Sequence, residues 1–354
     1  MRAFESAIEK IEPLDDQAVV AAKDRQDKLT KPPGALGRLE LIGIQLAGIA
    51  RRCPPPLPHP ASVAVFAGDH GVLKEGVSPW PQEVTAQMVD NFCAGGAGVS
   101  VLANFFGAQV LVVDVGVAQD LPPRPGLRLA KVAKGSGNIA CEPAMTIEQA
   151  AMCLDIGVEV AYELVDQGAA CLITGDMGIG NTTPSAALIA AFTGLDAVDV
   201  TGRGTGISDE VLKRKVSVVE QALNRSRSEG ASTPLELLAS LGGLEIAALA
   251  GFILGGAAVR VPVVLDGVIA QAAALVSVGL APLCSGYLIA GHRSKEPGSS
   301  AALQYLGKEP LLDLEMRLGE GSGACLALPI VQAAAKVLSE MATFEDAEVS
   351  TPIS

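Results

Sequence analysis

The chain is predicted to be an α/β protein with a doubly wound parallel sheet, and three observations carry that prediction. Four short runs rich in Val, Ile and Leu are separated by helical patterns. Hydrophobic residues make up 49% of the chain while aromatics make up only 3%. Each of the four runs also ends in an aspartate close to a glycine. Strands of a parallel sheet are covered by helices on both faces, so they read as continuous aliphatic runs, and strand alternating with helix is what makes neighbouring strands parallel. A core with so few rings has to be filled by Ala, Val, Leu, Ile and Gly, which suits helices lying close on a sheet.

In chain order, residues 1–52 are polar with helical period, interrupted at Lys31-Pro32-Pro33-Gly34-Ala35-Leu36-Gly37. A helix is expected at Glu40–Ala50, with Leu41, Ile44, Leu46 and Ala47 as apolar positions. Pro54–Pro60 holds five prolines in seven residues and marks a boundary. Strands are expected at Ser62–Ala67, Val110–Val115, Ala170–Thr174 and Val261–Leu265. Helices are expected at Pro81–Phe92, Ile147–Asp166, Pro184–Phe192, Asp209–Ser226 and Thr233–Leu254. Ile246–Val259 is too short to span a membrane. Val268–Gly291 is long enough, but Pro282 and separated glycines interrupt it and no Lys/Arg cluster flanks it, so it reads as a buried helix followed by a buried strand. Ala324–Val337 is a last apolar helix.

At 354 residues the chain has material for one large domain or two. Its net charge of −13 and pI near 4.8 argue against a nucleic-acid or anionic-membrane partner, but not against a small anionic ligand, which reads only the local field. The seven cysteines are scattered without a C-x-x-C pair, as for reduced thiols in a cytoplasm, and the first residues lack the apolar core of a secretion signal. The three histidines have no metal-ligand spacing, so no metal is expected.

Open α/β sheets bind ligands beyond the carboxyl ends of their strands. There the chain places Gly68-Asp69-His70-Gly71, Asp114-Val115-Gly116, Gly175-Asp176 and Asp266-Gly267. Four such ends in register predict a shared cleft, with about two of the aspartates serving only as caps. Gly175–Pro184 is the strongest ligand cradle. Its glycines expose backbone N–H groups, and Asn181, Thr182 and Thr183 add donors before Pro184 opens a helix, a pattern suited to phosphate or ribose. No Lys-Ser/Thr follows, so it is not a triphosphate-binding loop. Gly202-Arg203-Gly204-Thr205-Gly206 is a second glycine loop, followed by Lys213, Arg214 and Lys215, which read equally as a phosphate partner or as a solvated face. Pro79-Trp80-Pro81 reads as a rigid aromatic wall or as an anchor on the core. His292-Arg293-Ser294 has no Ser or Cys elbow to complete a hydrolytic triad. In Met316–Ala324, Glu320 stands between Gly319 and Gly321 just before a helix, which reads equally as a carboxylate that meets a substrate directly or as a turn that caps the helix.

Taken together and in order, KPPGALGRL (Lys31–Leu39), FAGDHGV (Phe66–Val72), GVSPWPQEVT (Gly76–Thr85), GDMGIGNTTP (Gly175–Pro184), GRGTG (Gly202–Gly206), LDG (Leu265–Gly267), GHRSKEPG (Gly291–Gly298) and MRLGEGSGA (Met316–Ala324) resemble the nicotinate-nucleotide–dimethylbenzimidazole phosphoribosyltransferase family from about residue 28 to about 335. The resemblance implies a Rossmann-like domain at 59–308 and a small helical domain made from 1–58 and 309–354, in a homodimer. It implies Glu320 as catalytic base and Asp176, where the family usually has Glu, as a second acid. Gly178, Gly180, Asn181, Thr182, Lys215, Gly267 and Ser294 are expected to hold nicotinate mononucleotide. Ser78, Trp80 (often Tyr in the family), Gln87, Met88 and Leu318 are expected to line the benzimidazole pocket. The donor carries no pyrophosphate, so no metal or other cofactor is implied.

Overall fold

In a computed structural model that describes residues 1–350, six strands form one parallel sheet. β1 (Ala61–Gly68), β2 (Gln109–Gly116), β3 (Leu127–Leu129), β4 (Cys171–Met177), β5 (Val263–Leu265) and β6 (Leu288–Ala290) lie in the order β3-β2-β1-β4-β5-β6. All neighbouring pairs are parallel. This is the doubly wound order, in which strands are added outward from β1 on one side and then from β4 on the other, so that the switch point lies between β1 and β4. Along β1, Val63, Val65 and Ala67 pack with the helices Arg38–Ala50, Glu83–Cys93, Gly98–Phe105 and Ser322–Glu340. Ala64 and Phe66 pack on the opposite face with Ile147–Asp166, Thr182–Thr193, Leu244–Ala258 and Val268–Leu280. Period-two alternation thus sends aliphatic side chains into two separate cores.

The paucity of aromatics has a structural counterpart. The Ile147–Asp166 and Leu244–Ala258 helices cross at backbone contact: a Cβ built on Gly157 would overlap the Ala248 carbonyl, and one on Gly251 would overlap the Leu154 carbonyl. Phe66 and Phe252 supply the local ring contact, edge to face at 5.6 Å.

Several elements differ from expectation. The single helix expected at Thr233–Leu254 is two, Pro234–Leu241 and Leu244–Ala258, because Gly242 and Gly243 take extended backbone between them. The break lets Glu245 reach back to His70, its Oε1 lying 2.7 Å from His70 Nε2 with both side chains buried. The short helix Gly98–Phe105 and the strand Leu127–Leu129 have no counterpart in the sequence reading. Val268–Gly291 is indeed a buried helix, Val268–Leu280, and then the buried strand β6. Among the described residues Ser322–Glu340 is long and apolar enough to cross a membrane by length and composition, but it lies against β4 and β5 as a core helix, with Ala324, Cys325, Ala327, Leu328 and Val331 buried.

The two chain ends meet. Leu29 and Thr343 form an antiparallel bridge, the Thr30 N–H donates to the Ala342 carbonyl at 3.0 Å, and the Phe344 N–H donates to the Lys28 carbonyl at 2.9 Å. Lys31–Leu39 forms a turn closed by a 2.8 Å ion pair between Lys31 and Glu40, whose carboxylate also accepts the Leu36 N–H. The last four residues of the expected 309–354 segment lie outside the described residues.

Candidate active site

Beyond the carboxyl ends of β1, β4, β5 and β6, and next to the switch point, the loops enclose a cavity of about 480 Å³. Its wall gathers Ser78, Trp80 and Met88, the Asp176–Thr182 loop, Lys215, Gly267, Ser294, Leu318 and Glu320. Of the residues that the resemblance assigns to catalysis, to the nucleotide or to the base, only Gln87 is absent from that wall. It is exposed. Val84 and Met88, one helical turn apart, face the cavity, whereas Gln87 is rotated by about 100° from Met88.

Glu320 lies on a left-handed turn: Gly319, Glu320 and Gly321 have φ of 78°, 67° and 104°. Glycine takes this conformation freely, while the glutamate between them bears a strain of about 1–2 kcal/mol. The turn does open the helix that follows, as expected, but the carboxylate is received elsewhere. Its Oε2 accepts the Val99 N–H at 3.1 Å at the N-terminus of Gly98–Phe105, where the helix dipole favours an anion, and the Gly98 backbone lies close by. Burial pushes the Glu320 carboxyl above the ordinary carboxylate range, the Val99 N–H pulls it back, and the nearby Asp266 charge adds to the rise. A carboxylate raised in this way is the stronger base.

Asp176, near the end of β4, is buried. One of its oxygens accepts from the Asn181 amide at 2.9 Å and the other has no partner. Burial first, then the charges of Asp266 and Glu245, push its carboxyl well above the ordinary range. A cation arriving beside this carboxyl favours its ionised form. The other strand-end aspartates serve the scaffold. Asp69 accepts the Ala118 N–H and Asp114 the Val117 N–H, while Asp266 turns to the loop that carries Glu320.

A second constellation surrounds Lys215. Lys213 and Arg214 are exposed, as a solvated face would be, whereas Lys215 is 1% exposed. It donates to Thr182 Oγ1 at 2.7 Å and to the Gly202 carbonyl at 3.2 Å. Burial lowers its ammonium to about 8. Glu296 accepts the Gly204 N–H at 2.8 Å, and Arg317 donates to the Gly204 carbonyl at 2.7 Å, so the glycine loop and the loop that carries Glu320 are joined. Trp80 stands half exposed on the cavity wall, so it is not an anchor in the core.

Sequence reasoning passed over Gly98, Val99, Glu296 and Arg317. The small-residue stretch Ala94-Gly95-Gly96-Ala97-Gly98 was the available sign of a tight loop before a helix. Among the described residues no group of three or more His, Cys, Asp or Glu is arranged to hold a metal ion.

A doubly wound sheet with a carboxylate and a buried ammonium on one cavity wall defines a protein that handles nucleotides. Residues 11–349 match the family model described as Phosphoribosyltransferase, and the chain belongs to that family. It is 55% identical to the nicotinate-nucleotide–dimethylbenzimidazole phosphoribosyltransferase of Salinispora tropica, over 96% of this chain and 97% of that protein. It is 54% identical to the protein of the same name from Chloroflexus aurantiacus, over the whole of both. The crystal structure of the Thermus thermophilus protein of that name superposes with a TM-score of 0.91 at 47% identity, covering 96% of this chain and all of that one.

Proposed function

We propose that the chain transfers the phosphoribosyl group of nicotinate mononucleotide to 5,6-dimethylbenzimidazole, giving α-ribazole 5′-phosphate and nicotinate, in the synthesis of the lower-ligand nucleotide of cobalamin. The observation that carries this reading is the pairing, on one cavity wall, of a raised carboxylate held by a backbone N–H with a buried ammonium beside a glycine loop. Relatives bearing the corresponding name match essentially the whole chain.

In this reading Lys215, Thr182 and the N–H groups of Gly178 and Gly180 hold the donor, with Asn181, Gly267 and Ser294 beside them. The benzimidazole lies between Trp80, Ser78, Met88 and Leu318. The in-plane lone pair of one ring nitrogen attacks C1′ from the face opposite the pyridinium. The C1′–N bond to nicotinate breaks, its electron pair returns to the pyridine nitrogen, and the configuration inverts from β to α. The attacking ring becomes cationic, which acidifies its other N–H, and Glu320 takes that proton. Positive charge developing at C1′ is met by Asp176, whose ionisation the cation itself favours.

We further read residues 59–308 as the large domain and 1–58 with 309–354 as the small one, in a cytoplasmic homodimer. The test is incubation of the purified protein with nicotinate mononucleotide and 5,6-dimethylbenzimidazole without added metal, with products followed by chromatography and mass. α-Ribazole phosphate that forms with wild type and collapses with Glu320→Gln supports both reaction and base. Product undiminished in the variant removes Glu320 from that role, and no product with any of a panel of bases refutes the activity.

A further inference from the structure

Asp266 directly follows β5, is fully buried, and belongs to none of the groups that hold substrate in the reading above. Its two carboxylate oxygens are taken up by one segment. Oδ2 accepts the Gly321 N–H at 3.1 Å, and Oδ1 accepts the N–H groups of Gly323 at 2.8 Å and Ala324 at 3.0 Å. These residues follow Glu320 directly, and the turn Gly319-Glu320-Gly321 is the left-handed one. The backbone of Asp266 is fixed in its turn. Its N–H donates to Thr174 Oγ1 at 3.0 Å, Thr174 Oγ1 donates to the Val264 carbonyl at 3.2 Å, and Gln271 holds the Asp266 carbonyl at 3.0 Å. A rigid line of contacts therefore runs from the centre of the sheet to the residue beside the base.

We propose that Asp266 is the positioning residue of the reaction: it clamps the strained turn so that the Glu320 carboxylate meets the N–H of the attacking base. The inference rests on Glu320 being the base. A strained non-glycine turn persists only where its surroundings over-determine it, and three charge-assisted hydrogen bonds from one buried carboxylate do so here. The groups facing Asp266 are Glu320, Asp176, Cys325 and His292, whose Nε2 lies 3.4 Å from Asp266 Oδ1. The Asp266 charge acts on Glu320 in the same direction as burial does.

The variant Asp266→Asn keeps the shape. Its amide oxygen can retain the Gly323 and Ala324 bonds, while its NH₂ group meets the Gly321 N–H donor to donor. The expected result is a fall in kcat of about 10- to 100-fold, the scale on which small misplacements act. KM for nicotinate mononucleotide should change little, and hydrogen exchange should be faster at Gly321. Because a neighbouring negative charge is removed, the acid limb of kcat/KM should also move to lower pH, a shift that loss of packing alone would not produce. Thr174→Val, which releases the Asp266 N–H without touching the carboxylate, should give a smaller fall in kcat and leave the acid limb in place. If Asp266→Asn folds and binds donor with wild-type kcat, or loses kcat with an unmoved acid limb and an unchanged Gly321 amide, the proposal is overturned. If it fails to fold, wild-type kcat in Thr174→Val overturns it. Glu320→Gln, run alongside, separates the cases: full activity there refutes the base and the clamp together, whereas collapse there with an indifferent Asp266→Asn refutes only the clamp.

Discussion

Lys215 offers the sharpest test of how the cavity holds its donor. Its ammonium is 1% exposed, bonded to Thr182 and Gly202, and lowered by burial to about 8. In the free enzyme the cation should therefore be lost within an accessible pH range. kcat/KM for the donor should hold to about pH 8 and then fall roughly tenfold per pH unit, close to 100-fold by pH 10. The profile of kcat should stay flat there, because a bound phosphate keeps the proton on the lysine. Lys215→Met should raise KM for the donor by about 10- to 150-fold, the equivalent of a charge-assisted hydrogen bond worth about 1.5–3 kcal/mol, with kcat nearly unchanged because a remote anchor is used equally in ground and transition states. It should also abolish the alkaline limb. The stability sign is opposite to that of activity. The folded lysine has the lower pKa, so between about pH 8 and 10.5 the unfolded chain binds more protons and wild-type stability rises with pH. Below pH 8 the buried cation costs about 3 kcal/mol, offset in the methionine variant by two lost hydrogen bonds of about 1 kcal/mol each. The variant should thus be about 1 kcal/mol more stable at pH 7. Steady-state profiles from pH 6 to 10 and urea melts decide the matter. An alkaline limb that survives in Lys215→Met, or a loss of kcat at unchanged KM, would refute the reasoning.

Two further outcomes follow from the same wall. Asp176 is pushed well above the ordinary carboxylate range, so its folded-state pKa exceeds its unfolded one; stability is full below the unfolded value and is lost as pH rises toward the folded value. Asp176→Asn should therefore be more stable than wild type at neutral pH, with a gain that shrinks to nothing near pH 4, and it should lose kcat; equal melting temperatures across that range would contradict the assignment. Trp80→Ala should raise KM for the benzimidazole by about 5- to 150-fold, the loss of about 1–3 kcal/mol of stacking, while KM for the donor stays put; a donor effect instead would place the ring elsewhere.

The central strands were legible because Val63–Phe66 and Leu111–Val113 are short β-branched-rich apolar runs of the kind a doubly covered sheet accommodates. Leu127–Leu129 was not, since an edge strand of three residues carries no pattern. Gly98–Phe105 begins without a side-chain cap and runs for eight residues, too short for periodicity to register. Glycines at 242 and 243 within an apolar stretch do not announce whether a helix tolerates them, and the contact that accompanies the break, Glu245 with His70, lies 175 positions away. The same holds at the site. Glu320 stands out locally by its glycine neighbours, but its receiver Val99 comes from another strand connection, and no local rule joins them. Four aspartates with one local signature met four different fates for that reason: what each carboxylate accepts depends on which loop the sheet order brings over it.

The crossing at Gly157 and Gly251 sets apart what can drift in this molecule from what cannot. Trp80 faces a cavity, and exchanging it for another flat side chain changes the wall and little behind it. At the crossing every amino-acid replacement of glycine adds at least a methyl group where a carbonyl oxygen of the partner helix already lies. Descendants of this chain are thus free to explore new bases by altering the rim, while the seam between the two helices has no neighbouring sequence to move to and should be inherited unchanged.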